Sequence, residues 1–161
     1  MLKRKAGALI ASLLLVVSSS VFAAPIANSY KSVAHITSLG PGSNACPAGQ
    51  IPVAVSGNGI DMLGHFALTE ELCADPLSGA FTGSFEITHP RENSYSGDFS
   101  GTFFPSGDVL EVHATWRITH GAGIFSNMIG AGTTKGIATV VNGGPGPGTI
   151  VLDGSISILA P

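Results

Sequence analysis

Apolar residues return at every second position through most of this chain, and that period of two restricts its fold more than any other feature. Phe81, Gly83, Phe85 and Ile87 alternate with Thr82, Ser84, Glu86 and Thr88; Tyr95, Gly97, Phe99, Gly101 and Phe103 alternate with Ser96, Asp98, Ser100 and Thr102. Leu110, Val112, Ala114, Trp116 and Ile118 alternate with Glu111, His113, Thr115 and Arg117, and Ile150, Leu152, Ile156 and Ile158 continue the pattern. Successive side chains on a strand point to opposite faces, so each run has one face for a core and one for water. Helical spacing is almost absent.

Gly40-Pro41-Gly42, Asp75-Pro76, His89-Pro90, Pro105-Ser106-Gly107-Asp108 and Gly143-Gly144-Pro145-Gly146-Pro147-Gly148 break the alternation. Turns take these residues for their special backbone angles. The last of these runs reads as a hairpin tip. Between the breaks the pattern predicts strands near 29–39, 50–60, 63–73, 79–89, 94–104, 108–119, 133–142 and 148–158. Eight strands joined by short connections predict an all-β domain: a closed antiparallel barrel, which hides its edges by meeting itself. The 22 Gly and 10 Pro are dispersed among β-branched residues, which fits turns and corners and not a low-complexity tract.

At the N-terminus, Lys3, Arg4 and Lys5 precede an uncharged run from Ala6 to Val17, and Val21-Phe22-Ala23 follows. A basic segment, an apolar stretch too short to span a bilayer and small residues at the cleavage position are the signature of a secretory signal peptide. We expect cleavage after Ala23, a barrel domain over 24–161, and a periplasmic or extracellular address without membrane insertion. Beyond residue 23 the basic residues are Lys31, Arg91, Arg117 and Lys135, against the chain's ten carboxylates. That balance disfavours nucleic acid, whose binding depends on clustered Lys and Arg. Cys46 and Cys73 are the only cysteines; in an oxidising compartment an even count predicts a disulfide. Pairing the 50–60 and 63–73 strands about a turn near Asp61 brings Cys73 opposite the start of the hairpin, near the loop that holds Cys46.

Ile118-Thr119-His120-Gly121-Ala122-Gly123-Ile124-Phe125, followed by Gly130 and Gly132, resembles a glycine-rich corner of the allene oxide cyclase and dirigent barrel superfamily. Weaker matches, Ser56 to Phe66 and Ser96 to Phe103, resemble small secreted bacterial proteins with such a domain. Here Gly121 and Gly123 would permit a sharp corner, Phe125 would plug a barrel end and Gly130 would start the next strand in a crowded place. The resemblance implies a barrel and either cyclase or isomerase chemistry on apolar ligands or the steering of radical coupling. It supplies no catalytic position that this chain's polar residues match.

The polar face of the 108–119 strand holds Glu111, His113 and Arg117. Acid, base and cation in a row make a candidate catalytic patch if that face lines a lumen; the simplest packing turns Leu110, Val112, Trp116 and Ile118 inward and these three to water. His35, His65, His89, His113 and His120 lie apart without metal-site spacing, and His65 in an apolar strand reads as a partly buried imidazole. Glu70 and Glu71 read as hairpin-end solvation. No G-x-S-x-G elbow and no G-x-G-x-x-G loop occurs, which disfavours serine hydrolase chemistry and nucleotide binding. The expectation is therefore a secreted barrel with no cofactor and no metal, binding a small apolar ligand or a partner without turning it over. The alternatives are a cofactor-independent cyclase or isomerase and a structural or adhesive envelope module. The sequence leaves the oligomeric state open.

Overall fold

The computed structural model describes residues 27–141 and 144–159. The expected leader over 1–23 lies outside the described residues. Eight strands follow in order: β1 (Asn28–Pro41), β2 (Ile51–Asp61), β3 (Gly64–Ala74), β4 (Ala80–His89), β5 (Asn93–Ser106), β6 (Val109–Ala122), β7 (Met128–Val141) and β8 (Gly144–Ile158). Each pairs antiparallel with the next, and β8 returns to β1 to close the barrel. Closure satisfies every strand edge, which is why a chain of long, locally connected strands takes this form.

The alternating apolar residues fill the inside. Tyr30, Ala34, Phe66, Leu68, Leu72, Phe81, Phe85, Ile87, Tyr95, Trp116 and Ile118 are all buried. Glycines on neighbouring strands receive the larger rings. A Cβ at Gly97 would stand 2.9 Å from Phe85, and one at Gly132 would stand 2.7 Å from Trp116. The Trp116 indole also donates to the Thr133 carbonyl oxygen at 3.1 Å, which satisfies its one polar atom.

Two boundaries differ from the sequence reading by four residues or more. β7 starts at Met128, five residues earlier than expected, because Gly130 and Gly132 pair with Ile156 and Gly154 of β8. β8 starts at Gly144, so most of the Gly/Pro run is strand and not hairpin tip; the ladder absorbs it through an irregularity between Ala138 and Val140. Composition misleads there because Pro is tolerated in a ladder wherever its missing N–H is not required. The Cys46–Cys73 disulfide is formed, with Cys73 beside Pro52 in the β2–β3 ladder.

The barrel has two dissimilar ends. The β2–β3, β4–β5 and β6–β7 connections lie at one end, and a 3-10 turn, Gly123–Phe125, folds over it. Gly123 has φ +63°, which L side chains adopt only under strain, and a Cβ at Gly121 would overlap the Phe125 carbonyl. The Asn93 side chain fixes the turn by accepting the Ile124 N–H at 3.0 Å. Phe125, 2% exposed, is thereby driven into the barrel against His89 and Tyr95. The other end, where the β1–β2, β3–β4 and β5–β6 connections lie, opens into the barrel among the described residues.

Candidate functional site

The open end leads into a cavity of about 520 Å³. Its walls are the inward faces of all eight strands, among them Ile36, Val55, Leu72, Phe103, Val112 and Ile150, and Leu68, Phe85, Trp116 and Leu152 also line it. Beyond them Tyr30 stacks edge-on against Trp116 at 5.6 Å, and the sealed end begins. The space exists because the strands contribute Gly and Ala at several inward positions where a larger residue would fill an eight-stranded barrel.

The β3–β4 connection, Asp75 to Gly79, contributes to the rim. Asp75 organises it: its carboxylate accepts the Leu77 N–H at 2.8 Å and the Ser78 hydroxyl at 2.7 Å. The Ser78 hydroxyl, with the Leu77 amide, holds the Asp75 carboxyl below the usual carboxylate range. Phe103 N–H donates to the Gly79 carbonyl oxygen and ties the loop to β5. Leu77 is left 97% exposed while lining the mouth.

Among these apolar walls stands one carboxyl, Glu70. On β3 it lies between Leu68 and Leu72 on the inward face, with Val55 of β2 and Phe85 of β4 as its ladder partners. It was expected at a solvated hairpin end; the structure corrects this, because a period of two sends Glu71 outward and Glu70 inward. The signal was present in the alternation Phe66, Leu68, Glu70, Leu72. Burial pushes the Glu70 carboxyl up to about 7, since an apolar surround penalises the charged form. No Lys, Arg or His is among the lining residues. The other polar liners are Asp75, Ser78, Thr134 and Thr149.

A second polar group lies beneath the Phe125 plug, outside this cavity. The hydroxyls of Tyr30 and Tyr95 are hydrogen-bonded to each other at 2.6 Å, and both lie within reach of the same Asp61 carboxylate oxygen, at 3.1 and 3.3 Å. The other Asp61 oxygen accepts the Leu63 N–H at 2.7 Å and closes the β2–β3 turn. Burial pushes the Tyr30 hydroxyl up to about 12 and that of Tyr95 higher still. His89 stacks on Tyr95, and its Nε2 lies 3.4 Å from Asp61 but at an angle that makes no hydrogen bond. The buried imidazole is thus His89; His65, expected to be partly buried, is exposed on the outer face.

The residues singled out on β6 lie outside the barrel. Glu111 and His113 pair at 3.6 Å with about half of each side chain exposed, and Arg117 pairs with Asp98 of β5 at 3.0 Å. The alternation that buries Val112, Trp116 and Ile118 carries all three away from the lumen, so a lumenal patch built from them does not exist. Among the described residues no group of three His, Cys, Asp or Glu is arranged to hold a metal ion. No helix of the described residues is long and apolar enough to cross a membrane. Comparison with protein-family models, curated proteins and solved structures finds no match to this chain.

Proposed function

We propose that the protein is a secreted barrel that holds a small apolar ligand in its lumen. The observation that carries this reading is the cavity itself, about 520 Å³ with an apolar lining and one open end. Pockets of this size and lining are where small molecules bind. An apolar cavity of about 150 Å³ holds a benzene-sized guest, so this one matches a molecule of about 20 non-hydrogen atoms. Export is supported by the sequence of residues 1–23 and by the disulfide, which suits an oxidising compartment. Charged residues distributed over the outer face, among them Lys31, Glu86, Asp98, Lys135 and Asp153, favour water around the barrel and not lipid.

One observation favours a second reading, the cofactor-independent cyclase or isomerase implied by the resemblance to allene oxide cyclase and dirigent barrels. A carboxyl that changes protonation near neutral pH inside an apolar cavity suits proton transfer to a substrate folded against the walls. That role belongs to Glu70 and not to Glu111 or His113.

The test is titration of the purified barrel with dodecanol, below its solubility limit, followed by the fluorescence of Trp116 in the cavity wall. Saturable binding supports the reading. A flat titration, together with no co-purifying small molecule by native mass spectrometry, overturns it.

A further inference from the structure

We infer that the lumen selects lipophilic cations: an amine or quaternary ammonium on an apolar body, its charge seated against Glu70. The inference rests on the ligand-binding reading above and supplies the class of ligand.

Glu70 breaks the rule that shapes the rest of the interior. Leu68 and Leu72 flank it on the same face, and both are buried apolar side chains. A carboxylate set among apolar side chains is costly unless something pairs with it. Glu70 makes no hydrogen bond or ion pair with another described residue. The cations among the described residues cannot serve. Lys31, Arg117 and Lys135 point outward from β1, β6 and β7, Arg91 is exposed in the β4–β5 turn, and His89 is sealed beneath Phe125. A local rule broken without compensation inside the protein marks a place where a ligand completes the structure.

The sign of the missing partner follows from the surroundings. The titratable groups among the lining residues are Glu70 and, at the rim, Asp75, both acidic. Glu71, next to Glu70 on β3, and Glu86 on the neighbouring β4 add negative charge on the far side of the wall. A fatty carboxylate entering this lumen would meet like charge and no counter-ion. An ammonium would meet a carboxylate in a low-dielectric site, where a charge-assisted hydrogen bond is stronger than a neutral one. The walls add a second attraction. Phe81, Phe85, Phe99, Phe103 and Trp116 line the same cavity, and aromatic surroundings are what organic cations seek when they leave water. A neutral alcohol would gain the apolar contacts and a single ordinary hydrogen bond.

The experiment uses three probes with the same chain, dodecylammonium, dodecanol and dodecanoate, each below its micellar concentration. They are titrated calorimetrically at pH 8 into the disulfide-intact protein and into Glu70→Gln, whose fold is checked by circular dichroism. The expected order in the native protein is ammonium tightest by about tenfold or more over the alcohol, and carboxylate weakest. In Glu70→Gln the ammonium is expected to fall to within about threefold of the alcohol. Alcohol binding with no ammonium preference in the native protein overturns this inference and leaves the binding reading standing. An ammonium preference that survives in a folded Glu70→Gln also overturns it, because the charge effect then does not come from Glu70. Failure of all three probes to bind overturns the binding reading along with it.

Discussion

Replacing Glu70 by Gln should make the protein more stable at pH 8 and leave it little changed at pH 4. Burial moves the Glu70 carboxyl from its ordinary 4.5 up to about 7 in the folded state. Each tenfold change in proton affinity corresponds to about 1.4 kcal/mol, so ionising this group in the fold costs roughly 3 kcal/mol relative to the unfolded chain. Below about pH 4.5 the group is protonated in both states and contributes nothing. Between 4.5 and 7 the unfolded chain releases its proton while the fold retains it, so this group lowers stability as pH rises. Above 7 the full deficit is present. Gln occupies the same volume without titrating, and the groups common to both proteins cancel in the difference. Urea unfolding followed by Trp116 fluorescence, at half-unit steps from pH 4 to 8, measures that difference directly. The gap should widen by roughly 2–3 kcal/mol across the range. Two parallel curves would refute the placement of Glu70 in an apolar lumen.

Serine at both Cys46 and Cys73, which are 27 residues apart, should cost roughly 3–4 kcal/mol by release of loop entropy, measured by the same unfolding assay. Phe125→Ala should cost about 3–5 kcal/mol through the cavity it leaves beneath the 3-10 turn, and amide exchange should quicken at the sealed end while the mouth is unaffected. Tyr95→Phe should cost about 1–2 kcal/mol, because Asp61 and Tyr30 then lose one of the hydroxyls they share, leaving Asp61 with Tyr30 and the Leu63 N–H as donors. Glu111→Gln combined with His113→Ala should shift stability by less than about 1 kcal/mol and leave dodecanol binding unaltered; a large loss of binding would place these residues nearer the ligand than the outer face allows.

The barrel was legible in the sequence because its cause is local. Alternation sets which side chains face inward, and Gly/Pro breaks set where strands end; for β2 to β6 the two together locate each element to within a few residues. The misplacements have physical reasons. The run after Val141 looks like loop by composition, yet Pro145 pairs with Val140 of β7 and Pro147 falls at the irregularity between Ala138 and Val140. Glu70 was hidden by its neighbour. Two adjacent glutamates before a disulfide cysteine and Asp75-Pro76 resemble a solvated strand end, and only strict application of the period separates inward Glu70 from outward Glu71. The Tyr30, Asp61, His89 and Tyr95 group had no sequence signal. Its members come from four strands, and the register that joins them is a property of the closed barrel.

A crystal of the protein soaked with an iodinated apolar compound such as iododecane tests the account most directly, because the anomalous signal of the halogen reports the ligand's position without reference to affinity. A single strong peak is expected inside the barrel, between the Leu72 and Phe103 walls and above Trp116. Peaks confined to the outer face, or a lumen closed by inward collapse of these side chains, would contradict it.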